Sequence, residues 1–127
     1  LEPGITLNGY TINRTGAALD ISLHWETAVP QTADFHRFVH LLSADGQIVS
    51  QADGKPLEGW LPTQSWQPRV QVAENVTLHL PENLPPGNYT LVTGMYTFPE
   101  IIRLTAIDAN GRHWPNDAIL LEEITLP

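Results

Sequence analysis

AALDISLHWE, residues 17–26, alternates without a slip. Leu19, Ile21, Leu23 and Trp25 fall on one side, Asp20, Ser22, His24 and Glu26 on the other. Successive side chains of a strand point to opposite faces, so a period of two marks a strand with one face in the core and one in water. The rest of the chain repeats the pattern. RVQVAENVTLHL (69–80) puts Val70, Val72, Val76, Leu78 and Leu80 on one face, with Glu74 the lone acid among them. In ITLNGYTINR (5–14) the parity slips between Leu7 and Tyr10, and Gly9 at the slip predicts a bulge.

Further strands follow at short spacing. FHRFVHLLSADGQIVSQAD (35–53) reads as a hairpin, Phe35 to Ala44 and Gln47 to Asp53, about a two-residue Asp45-Gly46 turn. NYTLVTGMYT (88–97) is apolar on both faces and is expected to be a central strand. IIRLTAID (101–108), a turn at Asn110-Gly111 and AILLEEITL (118–126) complete seven or eight strands. No window holds a 3.6-residue period, and 11 prolines oppose long helices. The expected fold is an all-β sandwich, immunoglobulin-like or Greek-key, of seven to nine strands. LPPGNYTLVTG (84–94) carries Pro-Gly-x-Tyr at a strand start, the pattern of a tyrosine corner, with Tyr89 as the corner residue.

At 127 residues the chain reads as one domain over 1–127, long enough to bury roughly two thirds of its unfolded surface. Cysteine is absent, which excludes disulfides, thiolate metal sites and a cysteine nucleophile. The net charge is −8, and the six basic residues Lys55, Arg14, Arg37, Arg69, Arg103 and Arg112 are scattered. No basic stripe can neutralise phosphates, so nucleic acid and anionic membrane surfaces are poor partners. No apolar run approaches the roughly 20 residues of a membrane span. The chain opens with Leu1 rather than Met, and the expectation is a piece of a longer protein.

Catalytic signals are lacking. His36 and His40 share a strand face with Phe38 between, about 13 Å apart at about 3.3 Å per residue, too far for one zinc ion. Asp53 and Asp108 lie in no calcium-loop pattern. Ser43, Ser50 and Ser65 stand outside any Gly-x-Ser-x-Gly elbow. The reading is a non-enzyme without metal or cofactor. The alternative to a structural or interaction role is a carbohydrate-binding module, because aromatic faces pack on sugar CH groups and the chain has four tryptophans. Trp25 falls on a core face. Trp60, Trp66 and Trp114 lie in proline-bearing loops and, with Asp53 and His40, are the candidate ligand-binding residues.

KPLEGWLPTQSWQP (55–68) admits two readings, a sugar platform or a cover over one end of the core. Three prolines restrict the unfolded chain, and ordering so long a loop without anchors costs about 1–2 kcal/mol per residue. The expectation is a cover over 54–68, with Trp66 buried, Trp60 more exposed, and Thr63, Gln64 and Ser65 bonding loop backbone.

Taken in order, LDISLHWE (19–26), FVHLLSADGQIVSQADGKP (38–56), LPTQSWQP (61–68), LPPGNYTLVTGMY (84–96) and RLTAIDANG (103–111) resemble a known domain. It is the extracytoplasmic C-terminal β-sandwich of bacterial multi-spanning glycosyltransferases of the dolichyl-phosphate-mannose protein mannosyltransferase-like type. The resemblance runs from about Leu7 to Leu126. It rests on His40, Asp53, Pro56, Pro62, Thr63, Trp66, Gly87, Tyr89, Gly94, Tyr96 and Arg103, and departs at Glu74, near which an aspartate is expected. It implies an extracytoplasmic location, a parent membrane domain as partner, and a structural or interaction role. The family's catalytic machinery belongs to its membrane part.

Overall fold

A computed structural model describes residues 4–59, 61–106 and 112–126. β1 (Ile5–Thr15), β2 (Ala18–Thr27) and β5 (Val72–His79) form one antiparallel sheet, in the order β1-β2-β5. β3 (His36–Leu42), β4 (Ile48–Gln51), β6 (Gly87–Tyr96) and β7 (Ile119–Leu126) form the other, in the order β4-β3-β6-β7. The only helical pieces among the described residues are turns of three or four residues. The two sheets stack as a β-sandwich around one main core.

The alternation at 17–26 is what places β2 there. Leu19, Ile21, Leu23 and Trp25 are each at most 1% exposed, and they meet Val39, Leu41, Leu91 and Met95 of the facing sheet. Gly9 sits at a bulge as expected: Leu7 pairs with Trp25 and Gly9 with His24, so Asn8 is the extra residue. β6 lies between β3 and β7, and a second small cluster covers its outer side, which explains its two apolar faces. The Tyr89 hydroxyl donates to the Pro85 carbonyl at 2.6 Å, tying the start of β6 to the turn before it.

Four expectations need correction. The hairpin strands are shorter than 35–44 and 47–53. Their link is a three-residue loop, in which Ser43 N–H donates to the Gln47 carbonyl and Gly46 N–H to the Ser43 carbonyl. Gly46 alone takes a left-handed φ, +85°, so this is a type I turn closed by glycine; a two-residue turn would need positive φ at Asp45 as well. Val70 is 53% exposed, off the core face, because the chain turns at Arg69 (φ 67°) before β5 begins. The described part of IIRLTAID, residues 101–106, is not a strand. Arg103 makes a single bridge to Tyr96, and Ile101 and Ile102 are 71% and 59% exposed. β7 pairs with β6 from Gly87 to Thr93, and the segment touches only the strand's end, where Thr97 N–H donates to the Ile102 carbonyl and Leu104 N–H to the Met95 carbonyl. Asp108 and the Asn110-Gly111 turn lie outside the described residues.

Residues 54–68 do form a cover. Trp66 is 3% exposed and donates its indole N–H to the Leu61 carbonyl at 2.9 Å. The anchors differ from expectation. Thr63, fully buried, donates to the Ala33 carbonyl (2.6 Å) and accepts from Phe35 N–H (3.0 Å). Gln64 Nε2 donates to the Thr32 carbonyl at 3.0 Å. The loop is thus pinned to residues 32–35 more than to itself. Trp60 lies outside the described residues.

Glu74, the acid on an apolar face, is a buried junction. Its Oε2 accepts from Trp25 Nε1 at 2.8 Å and its Oε1 from Arg37 Nε at 3.2 Å and Leu57 N–H at 3.4 Å. Arg37 also donates to the Ala52 carbonyl at 3.1 Å. One carboxylate therefore joins both sheets and the covering loop. A buried ion pair is tolerable when its remaining donors and acceptors are satisfied in this way.

Candidate functional site: a cleft on the outer face of the four-stranded sheet

HRFVHLL, the sequence of β3, is apolar or aromatic on both faces. Val39 and Leu41 enter the main core. His36, Phe38, His40 and Leu42 face outward, where a soluble sandwich would ordinarily be polar. The outward face is covered. Phe38, Val92, Tyr96 and Ala118 form a second small apolar cluster, with Leu42 packed against it. The cover comes from the described residues between β6 and β7, 97–106 and 112–118.

Gly94 lets that cover sit down. A Cβ at Gly94 would lie 2.6 Å from the Phe38 ring, closer than packed atoms approach, and a tight 3.2 Å from the Asp117 carbonyl oxygen. With no side chain there, the Phe38 ring lies flat on the sheet and the connection closes above it. Arg103 stacks its guanidinium 4.4 Å over the centre of that ring and donates to the Asn116 carbonyl at 2.9 Å. Trp114 N–H donates to the Ala106 carbonyl at 2.8 Å, and Ala106 N–H to Asp117 Oδ1 at 3.2 Å. Asn116 (φ 57°) and Asp117 (φ 52°) are both left-handed, an unusual pair for residues with side chains. Such strain, on the order of 1–3 kcal/mol each, persists only where surrounding contacts impose it.

Between cover and sheet lies a cleft of about 410 Å³, within the roughly 300–1,000 Å³ of small-ligand sites. Val92, Ile48 and Leu120 give it an apolar floor, and His40, Arg103 and Trp114 supply its other chemistry. Trp114 is half-buried at the rim. His40 is 6% exposed, and its Nε2 lies 3.1 Å from Asp53 Oδ1. A carboxylate only accepts, so the hydrogen of the neutral ring belongs on Nε2 and Nδ1 carries a lone pair. That Nδ1 is buried and is the one such side-chain atom without a partner among the described residues. A buried polar atom left unpaired costs about 1–3 kcal/mol and calls for a water or a ligand.

Neighbouring groups are perturbed. Burial pushes the Tyr96 hydroxyl above its ordinary range, and the nearby Asp53 carboxylate adds to this. Burial lowers His36, with Lys55 acting in the same direction; its ring stacks on Phe98 at 4.6 Å. No group of three or more His, Asp or Glu side chains able to hold a metal ion occurs among the described residues.

Of the five candidate residues, His40 and Trp114 line this cleft, and Asp53 reaches it only through its bond to His40. Trp66 stands apart, its indole enclosed in the main core with no face free for a sugar. Trp60 lies outside the described residues. Sequence reasoning missed Arg103 as a site residue. It stands in a segment read as a strand, and its stacking on Phe38 spans 65 positions of chain. No protein-family model and no curated protein matches this chain.

Proposed function

We propose that this chain is a non-catalytic, extracytoplasmic accessory domain that works by binding, and that the outer-face cleft is its glycan site. The observation that carries the reading is the buried His40, whose Nδ1 has no partner, among the residues that line an apolar cleft with Trp114. An indole face for sugar CH groups beside a fixed acceptor for a hydroxyl is what a saccharide site requires. No serine, threonine or carboxylate is among the described residues that line the cleft, which supports binding over catalysis.

The wider setting rests on the resemblance to the C-terminal domains of multi-spanning glycosyltransferases, with the membrane part of such a protein as partner. An immunoglobulin-like topology is part of the proposal. The division β1-β2-β5 against β4-β3-β6-β7 and the Tyr89–Pro85 bond support it. No helix among the described residues is long and apolar enough to cross a membrane.

A glycan array probed with the domain and with Trp114→Ala tests the reading. Saturable binding that Trp114→Ala abolishes is expected. Binding by neither protein, with the parent folded, would sink it.

A further inference from the structure

The chemistry of the cleft narrows its ligand, on the reading that the cleft is a binding site. We propose that it takes an anionic sugar, whose carboxylate or phosphate pairs with Arg103 while a ring hydroxyl donates to His40 Nδ1.

Arg103 is the first ground. A guanidinium has five N–H donors, and here Nη1 donates to the Asn116 carbonyl. The ion pairs of arginine among the described residues are Arg37–Glu74 and Arg69–Glu26, and Asp53 is engaged by the neutral His40 ring, so no carboxylate there neutralises Arg103. The group is not a waving surface cation. Stacking on Phe38 and the bond to the strained Asn116 turn hold its plane. A fixed guanidinium fork with donors to spare matches a planar carboxylate or a phosphate, and holding it in advance removes ordering entropy from binding.

His40 is the second ground, and it is independent of the first. Asp53 takes the Nε2 hydrogen, so Nδ1 accepts. A ligand made only of acceptors, such as inorganic phosphate, would leave that nitrogen unpaired. The ligand must carry a donor as well as an anion. The third ground is the apolar surface of Val92, Ile48, Leu120 and Trp114 between these two groups. It excludes a fully polar ligand and fits the CH face of a pyranose. A sugar acid or sugar phosphate supplies all three features. Asn116 and Trp114 belong to the same short turn, so the strain at Asn116 and Asp117 sets the rim and the Arg103 anchor together.

The test compares ligands first, so that it does not depend on a variant folding. Titration calorimetry of the domain would use hexuronic-acid oligosaccharides, their methyl esters, hexose phosphates and neutral oligosaccharides of equal length. At least one anionic series should bind tenfold or more tighter than the uncharged ones, about 1.4 kcal/mol; the tighter of the two identifies the anion. Arg103→Gln should then bind acid and ester alike, and Arg103→Lys should recover part of the difference. If uncharged oligosaccharides bind as tightly as anionic ones, and Trp114→Ala removes that binding, the anion proposal is overturned and the glycan reading stands. If the folded domain binds none of the four, both fall.

Discussion

The loop at 54–68 and the connection at 97–118 are built from the same materials: prolines, tryptophan and short polar residues. They end in opposite roles. The first joins β4 to β5 and so passes from one sheet to the other. It must cross the open end of the sandwich, and there Trp66 drops between the sheets into the main core. The second joins β6 to β7, neighbours within one sheet. It has no end to cross, and it lies back over the outer face. Trp114 belongs to neither apolar cluster and stays half-buried there. A tryptophan becomes core or rim according to which strands its loop connects.

The comparison breaks first at Trp66. Trp66→Ala should cost on the order of 3–5 kcal/mol in a urea melt, the usual penalty for removing a large buried aromatic. A loss within about 0.5 kcal/mol, the range of surface changes, would show that 54–68 is not an anchored cover.

Glu74 tests what holds the cover to the sheets. Glu74→Leu strands the Arg37 guanidinium in the core, and breaking a buried pair from one side typically costs about 3–5 kcal/mol. Arg37→Met combined with Glu74→Leu should regain much of that loss, because no charge is left unpaired. Equal destabilisation by the single and the double change would mean that the pair is not the junction described.

Trp114 sharpens the contrast from the other side. Trp114→Ala should change stability by less than about 1 kcal/mol, since the side chain is half in water and outside the main core. Its effect should appear in ligand affinity instead. A destabilisation comparable to that of Trp66→Ala would make the second connection a plug like the first.

The smallest effect is in pH. Burial, and Lys55 beside it, lower the His36 pKa from 6.5, so the folded state gives up its proton more readily than the unfolded chain. Between the folded pKa and 6.5 the unfolded chain holds more protons, and stability rises with pH. Acidification from pH 8 through 6.5 and below should therefore reduce the urea midpoint. His36→Gln should flatten part of that fall, despite the opposing influence of Asp53 and Asp34 on the ring. An identical pH profile in His36→Gln would remove His36 from the account.

Much of the architecture was legible because it is local. Alternation over β2 and β5, the Gly9 bulge and the Tyr89 turn depend on residues a few positions apart. The lone acid at 74 was visible as an anomaly on an apolar face. Its partners were not, because Trp25 and Arg37 lie 49 and 37 positions away. IIRLTAID misled for a related reason: its composition suits a strand, yet β7 holds the edge of β6 up to Thr93 and leaves only the strand's end for a single bridge.

The sequence by itself determined an all-β chain, which side of β2 is core, that 54–68 would be tied down, and that His40, Asp53 and Trp114 were worth attention. Periodicity, proline content and residue chemistry are properties of the chain before it folds, and these conclusions need nothing more. Only the tertiary structure decided that Trp66 and Trp114 part company, that Arg103 lies over Phe38, and that Asp53 occupies one nitrogen of His40 and leaves the other unpaired. Each of those depends on strand order and on contacts between distant segments. Strand order follows from the summed burial of both sheets, which no local window of sequence contains.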